Sequence, residues 1–116
     1  MLLIPIQGDF VAPRFDLATE VFMAQIDNGR IVGDPKTIIS ERPSEEWLCQ
    51  LAVEEHITDV VCGGIEELHY NFLVWKKVKV LDSIIGAWRP ALDKMLAGSL
   101  AQGEIFIDYD DEGLSL

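Results

Sequence analysis

Cys62 is the residue whose chemistry and position point most directly to a functional site. It follows the apolar pair Val60-Val61 and precedes Gly63-Gly64. This pattern predicts a short strand over residues 58–62 and a glycine turn into a helix. A thiol before a helix N-terminus would have a lowered pKa, and strand ends of α/β sheets commonly bind ligands. The alternative is that Cys62 is a small buried apolar residue and the glycines only permit a tight turn.

His69 and Arg14 are the other candidate binding residues. Soft metals favour thiolate and imidazole ligands, so Cys62 with His69 is the ligand pair that the sequence suggests. The alternative for His69 is a partly exposed surface residue on a helix. Arg14 could hold an oxyanion such as molybdate or thiomolybdate through its planar guanidinium. Its alternative is a salt bridge to an acid nearby in the sequence: Asp9, Asp16 or Glu20.

The charge balance of the chain argues against two classes of partner. Its 116 residues include nine Lys and Arg against twenty Asp and Glu, a formal net charge of −11. Nucleic acids and anionic membranes both require clustered cations, so we expect neither as a partner. The basic cluster Lys76, Lys77 and Lys79 is typical of a solvated helix end. No apolar run reaches the roughly 20 residues of a membrane span, and the N-terminus lacks a basic signal segment, so we expect a cytoplasmic protein.

Periodicity and turn residues predict the elements that must position these groups. Strands are predicted over residues 2–6, 19–27, 30–39, 58–62 and 78–81. Asn28-Gly29 predicts a hairpin, and Gly33-Asp34-Pro35 predicts an interruption of the returning strand.

Three helices are predicted between and after these strands. The first begins at the cap Ser44 and ends near residue 56, and the third covers residues 87–97 before Gly98. The second follows Gly64 and presents an apolar row of Ile65, Leu68, Phe72 and Trp75. The resulting order, βββαβαβα, predicts an α/β domain with a mixed sheet covered by helices.

Several segments resemble the dinitrogenase iron–molybdenum cofactor biosynthesis family, of the NifX-like and NifB C-terminal-domain type. They are Ile4-Pro5-Ile6-Gln7-Gly8-Asp9, Val11-Ala12-Pro13-Arg14-Phe15-Asp16, Glu20-Val21-Phe22, Thr58-Asp59-Val60-Val61-Cys62-Gly63-Gly64-Ile65 and Ala97-Gly98-Ser99-Leu100. The resemblance implies a ribonuclease H-like fold. It also implies one domain over residues 1–100, followed by an acidic C-terminal tail over residues 101–116.

The same resemblance implies a non-catalytic protein that binds or carries an iron–molybdenum or other metal–sulfur cluster, or a metal oxyanion. Its site would combine two loops, Arg14-Phe15-Asp16 and Cys62-Gly63-Gly64, with Cys62 and His69 as metal ligands. The chain departs from the family pattern at two places. Arg14-Phe15-Asp16 stands where typical members have His-Phe-Gly, and Glu66-Glu67 stands where members often have a further glycine.

Three other functions are weighed against this one. An interaction module that has lost the cluster site would act as a homodimer or with a partner protein, through the apolar and acidic segment 104–116. A cysteine-dependent enzyme would require a lowered pKa for Cys62. A nuclease of this fold would require metal-binding carboxylates, and the predicted strand over residues 2–6 contains no acid, which excludes that function.

Overall fold

A buried N-terminal strand forms the centre of the fold. The computed structural model describes residues 1–41 and 45–106. The strands are β1 Leu2–Gln7, β2 Phe10–Val11, β3 Glu20–Asp27, β4 Arg30–Ile39, β5 Asp59–Val61, β6 Lys79–Leu81, β7 Ile85–Gly86 and β8 Ile105–Phe106. The helices are α1 Glu45–Glu54, α2 Glu67–Trp75 and α3 Trp88–Leu96. With the two-residue strands set aside, the described elements follow the predicted order βββαβαβα.

The main sheet is mixed, as the sequence predicts. Its strand order is β4-β3-β1-β5-β6, and β2 pairs with the end of β1. β1, β3 and β4 are antiparallel, whereas β1, β5 and β6 are parallel. The parallel half therefore brings the ends of β1, β5 and β6 to one edge of the sheet.

The hairpin between β3 and β4 is confirmed. Asn28 and Gly29 have φ values of 53° and 73°, the left-handed conformation that this tight turn requires. The predicted interruption of β4 takes the form of a register shift, because β3 residues Met23 and Gln25 face residues four apart on β4. Pro35 lies in this irregular segment of an edge strand, where it removes no central ladder bond.

Apolar residues cover both faces of the sheet. Along β1, Leu3 belongs to the core under α1 and α2, whereas Leu2 and Ile4 belong to the core under α3. This alternation follows from the two-residue period of a strand. Because both faces are covered, the middle of β1 is a continuous buried apolar run.

The helix predictions are partly corrected. α3 has Pro90 in its first turn and ends before Gly98, whose φ is 74°, as predicted. α2 begins at Glu67 rather than directly after Gly64, which was wrong. Its predicted apolar row is correct for Ile65 and Phe72, which pack on the core, and wrong for Leu68 and Trp75, which are 75% and 72% exposed. The helix packs on the core through the buried Leu73 and the half-buried Tyr70 and Phe72. Apolar residues on a short helix need not all face inward.

Some of the predicted features lie at the edges of residues 1–41 and 45–106 or outside them. The predicted cap Ser44, together with Ile107 and the acidic run of the tail, lies outside the described residues. Ile105 and Phe106 do pack on the body, since β8 pairs in parallel with β7. The domain boundary at residue 100 stays a prediction. No helix in the described ranges has the length and apolar character needed to cross a bilayer.

Candidate functional site

Three loops meet beyond the carboxyl ends of β1, β5 and β6. The first covers residues 8–16 and includes β2, the second covers residues 62–66, and the third covers residues 82–84. The first and second loops are joined by two backbone hydrogen bonds: Phe15 N–H donates to Gly64 O, and Gly64 N–H donates to Pro13 O, both at 2.8 Å. The second and third loops are joined in the same way, because Ser83 N–H donates to Gly63 O at 2.9 Å and Ile84 N–H donates to Cys62 O at 3.0 Å. The two loops that the sequence analysis paired, 14–16 and 62–64, are therefore neighbours.

Gly63 allows the first two loops to approach this closely. A Cβ at position 63 would lie 2.5 Å from Ala12 O and 2.8 Å from Pro13 O. Both contacts are with backbone atoms, which cannot rotate away as a side chain can. The sequence predicts that the glycine pair permits a tight turn into a helix. In the structure, Gly63 instead permits the close contact between the first and second loops.

A cavity of about 560 Å³ opens between these loops. Phe10 and Pro13 line it from the first loop, Gly64 from the second, and Ser83 and Ile85 from the segment after β6. We call it the loop pocket. Phe10 is 52% exposed and Ile85 is 58% exposed, so apolar side chains also form part of its mouth. A concave, mainly apolar cavity at the carboxyl ends of parallel strands is a common form of ligand site.

α3 holds the first loop in place. Trp88 Nε1 donates to Gly8 O at 3.0 Å, and the Arg89 guanidinium donates to Asp9 Oδ1 at 2.9 Å. Arg89 also lies over the Trp88 ring, 4.5 Å from its centroid. These contacts fix the chain just before Phe10, and thereby one wall of the loop pocket.

A two-stranded sheet, β7 with β8, supports the opposite wall. A Cβ at Gly86 would lie 1.7 Å from Phe106 O, so only glycine permits this pairing. Glu104 anchors β8 by accepting hydrogen bonds from Lys94 Nζ and from Ala101 N–H. These two bonds, with that of Lys94 the larger cause, lower the pKa of Glu104.

The structure corrects the expectation for the Cys62 thiol. Its side chain is fully buried in the core under α1 and α2. Burial, assisted by the negative charge of Asp82, raises the pKa of Cys62 to about 12. The predicted lowering was wrong because α2 begins only at Glu67 and the thiol lies in the apolar interior. Cys62 is therefore the small buried apolar residue of the alternative interpretation. A cysteine-dependent enzyme would require a lowered pKa, whereas the pKa of Cys62 is raised.

His69 lies on the α1–α2 side of the sheet. Its side chain is 12% exposed, its Nε2 is 3.7 Å from Glu66 Oε1, and its ring centroid is 6.1 Å from that of Phe15. It borders a smaller cavity with Cys49 rather than the loop pocket. Within the described ranges, no three His, Cys, Asp or Glu side chains are grouped to hold a metal ion. Ligation by Cys62 and His69 stays a prediction.

Arg14 forms the salt bridge that was its alternative role. Its Nε and Nη2 donate to Asp16 Oδ1 and Oδ2 at 3.1 and 2.6 Å, a bidentate pair at the surface. Phe15, between them, is 1% exposed and anchors the loop in the core. A guanidinium has five N–H donors, so Arg14 keeps donors for an anion beside this pair.

Asp82 is a residue of interest that the sequence analysis missed. Its Oδ2 accepts a hydrogen bond from Ser83 Oγ at 3.1 Å, but its buried Oδ1 has no hydrogen-bond partner among the described residues. A buried carboxylate oxygen without a donor is rare and marks a place where another molecule can donate. Its position directly after a strand of the parallel half was a signal that could have identified it.

Comparison with known proteins shows a shared fold at low sequence identity. A crystal structure of the protein PH0822 has a TM-score of 0.75 at 15% identity, over 94% of this chain and 95% of that one. A crystal structure from Methanocaldococcus jannaschii, of a protein provisionally named a dinitrogenase, gives 0.70 at 19%, over 87% and 91%. An NMR structure from Thermotoga, of a protein provisionally named NifB in the DUF35 family, gives 0.66 at 15%, over 93% and 97%. No family model and no curated protein matches the sequence.

Proposed function

We propose that this chain is a non-catalytic, cytoplasmic carrier that binds a metal–sulfur cluster or metal oxyanion of the nitrogenase-cofactor type in the loop pocket. The observation that carries the proposal is the convergence of three hydrogen-bonded loops around a cavity of about 560 Å³ at the carboxyl ends of β1, β5 and β6. The names of the Methanocaldococcus and Thermotoga proteins support this class of cargo. The strand order β4-β3-β1-β5-β6 supports our assignment of the fold as ribonuclease H-like.

The cargo is held by shape and charge rather than by ligation through Cys62. The thiol is inside the core and protonated at neutral pH, since its pKa is raised to about 12. The pocket instead offers the apolar surfaces of Phe10 and Ile85. The guanidinium of Arg14 lies outside this lining, in an adjoining cavity that shares Pro13 with the loop pocket. A sulfide-coated cluster has a large polarisable surface with weak hydrogen-bond acceptors, and it suits this cavity better than a small, strongly hydrated oxyanion does.

A second candidate function is an interaction module that acts as a homodimer or with a partner protein. The observation that favours it is an exposed apolar rim: Phe10 and Ile85 of the loop pocket are 52% and 58% exposed, and Ile105, which pairs with Ile85, is 59% exposed. Aromatic and apolar side chains around a cavity are typical of binding hot spots in protein interfaces. Light scattering of the isolated chain, with and without Phe10→Asp, measures whether this rim associates.

Reconstitution with tetrathiomolybdate tests the carrier function. The protein is mixed with the compound, desalted and measured for visible absorbance; we expect retained colour near one equivalent. Ile85→Trp narrows the mouth of the loop pocket and should reduce retention about tenfold. Val32→Trp is the matched control, because Val32 is a half-exposed β-branched residue on β4, and it should retain colour as the wild type does. Absence of retained colour, or equal retention by both variants, would contradict the proposal.

A further inference from the structure

The C-termini of α1 and α2 close in the same way. At the end of α1, Ile57 N–H donates to Ala52 O at 2.9 Å and His56 N–H donates to Val53 O at 3.3 Å. These are the two bonds of a Schellman motif, in which the residue before the last donor takes a left-handed conformation. That residue is His56, with a φ of 53°.

The second closure repeats the first beside it. Val78 N–H donates to Leu73 O and Lys77 N–H donates to Val74 O, both at 2.9 Å. Lys77 takes the left-handed position, with a φ of 68°. Glycine is the usual residue there because a side chain is disfavoured at positive φ. Both helix ends therefore have a strained left-handed backbone at a residue with a long or ring side chain: His56 at the end of α1 and Lys77 at the end of α2.

A cavity of about 300 Å³ lies between these two helix ends. Its apolar lining includes Ile57, Leu73 and Val78, and its polar lining includes His56, Lys76 and Lys77. We call it the helix-end cleft. The strands that follow these helices, β5 and β6, begin here, so the cleft lies at the opposite edge of the sheet from the loop pocket.

An aromatic surface adjoins the cleft. Phe72 lines it, and Trp75, on the same helix, is 72% exposed. Lys76 Nζ lies 4.7 Å from the Trp75 ring centroid and 5.9 Å from that of Phe72. This contact holds the ammonium group over the rings, where it remains open to an anion.

The lysines of the cleft stand out in a chain of net charge −11. Neither Lys76 nor Lys77 forms an ion pair within residues 1–41 and 45–106. The acids next to the cleft have other partners: Glu55 Oε1 lies 3.7 Å from Lys36 Nζ, and Asp59 accepts a hydrogen bond from Thr58 Oγ1 at 2.8 Å. A ligand with negative charge would therefore meet two ammonium groups that form no ion pair among the described residues.

We propose that the helix-end cleft is a second binding site, for a small organic anion with a ring-sized apolar body and a carboxylate or phosphate head. The apolar lining, which includes Phe72, receives the body, and the two ammonium groups receive the head. A cavity of this volume suits a single ring with a short substituent, and its lining suits neither a fully polar anion nor a neutral apolar compound. The site is independent of the loop pocket, so its failure and the failure of the carrier function are separate results.

Titration of ¹⁵N-labelled protein by NMR tests this site with four probes. Phenyl phosphate and benzoate share the apolar ring and differ in the head group, so their relative affinity identifies the preferred anion. Inorganic phosphate and benzyl alcohol each lack one half of this chemistry and should bind at least about tenfold more weakly. We expect saturable shifts at the amides of His56 and Lys77 and at the Trp75 indole. Absence of saturation at millimolar concentration, or equal binding of benzyl alcohol, would overturn the proposal.

Two sets of variants separate a binding site from a structural helix end. Lys76→Gln with Lys77→Gln should weaken phenyl phosphate binding about tenfold, whereas Arg30→Gln with Arg89→Gln, which removes the same charge from β4 and α3 away from the cleft, should not. His56→Gly with Lys77→Gly relieves both left-handed positions, and should raise the melting temperature while it weakens binding. Equal loss of binding in the charge-matched control, or unchanged binding in the glycine variant, would overturn the proposal.

Discussion

Arg14 and Gly64 lie side by side as an isolated parallel bridge, which joins two loops from distant parts of the sequence. The bonds on either side of this bridge, from Phe15 N–H to Gly64 O and from Gly64 N–H to Pro13 O, are both 2.8 Å long. Pro13 and Gly64 also line the loop pocket, so the bridge fixes the relative position of two of its walls.

Gly63→Ala should destabilise the fold by about 1–3 kcal/mol, the usual cost of adding an atom to a closely packed position. The added Cβ would lie 2.5 Å from Ala12 O, a backbone atom that cannot move without shifting the first loop. Urea unfolding measures this change. Gly64→Ala is the matched control, because its nearest contact is Pro13 O at 3.2 Å and its effect should be smaller. Equal stability of both variants would mean that the loops are not in close contact.

Cys62 should resist thiol reagents in the native protein. Burial raises the pKa of this thiol to about 12, so at pH 8 it is both protonated and inaccessible. Mass spectrometry after a short maleimide pulse should show modification of the half-buried Cys49 before that of Cys62. Modification of Cys62 should occur only at the rate of unfolding. Rapid native-state labelling of Cys62 would contradict its position in the core.

Local sequence signals predict the elements of this fold well. The hairpin at Asn28-Gly29 and the helix stop at Gly98 both depend on left-handed turn residues, and both are present. The continuous apolar run over residues 2–6 is typical of a buried strand, and β1 is buried along this run. These features are predictable because each depends on residues adjacent in the chain.

The site is less predictable because it depends on contacts between distant segments. The sequence placed Arg14 and Gly64 in one site through a family resemblance, but it could not show that Gly63 accommodates backbone from the first loop. Nor could it show that Cys62 lies in the core, because a strand residue before a turn can face either side of the sheet. Leu68 and Trp75 are exposed because α2 packs on the core through Tyr70, Phe72 and Leu73.

Acid should loosen β8 from the body. The hydrogen bonds from Lys94 and Ala101 lower the pKa of Glu104 in the folded protein. Its contribution to stability is therefore fully present above the pKa of an unfolded Glu, about 4.3. That contribution is lost as the pH falls through the lower pKa of the folded state. Hydrogen exchange at the amides of Ile85 and Ala87, which donate to Glu104 O and Phe106 O, reports this change. Glu104→Gln should show reduced protection of these amides already at neutral pH.

Glu55→Gln is the control for this effect, because Glu55 pairs with Lys36 on another part of the surface. It should leave the exchange of both amides unchanged. Equal protection in wild type and Glu104→Gln at neutral pH would show that the carboxylate does not anchor β8.

Arg14→Ala and Asp16→Asn should have opposite effects on cargo binding. The Arg14 side chain is 58% exposed, so Arg14→Ala should change the free energy of unfolding by less than about 1 kcal/mol. Arg14→Ala removes the cation beside the loop pocket and should reduce retention of tetrathiomolybdate. Asp16→Asn releases the guanidinium from its carboxylate and should increase retention. A reduction in both variants would indicate that the salt bridge itself, rather than the free cation, maintains the site.

The most direct test of the carrier function is a map of where tetrathiomolybdate binds. This compound is diamagnetic, so its titration into ¹⁵N-labelled protein can be followed residue by residue. We predict saturable shifts at the amides of Gly64, Ser83, Ile85 and Gly86, which surround the loop pocket. Shifts confined to the helix-end cleft, or no saturable shifts in the three loops, would contradict the assignment of the loop pocket as the binding site.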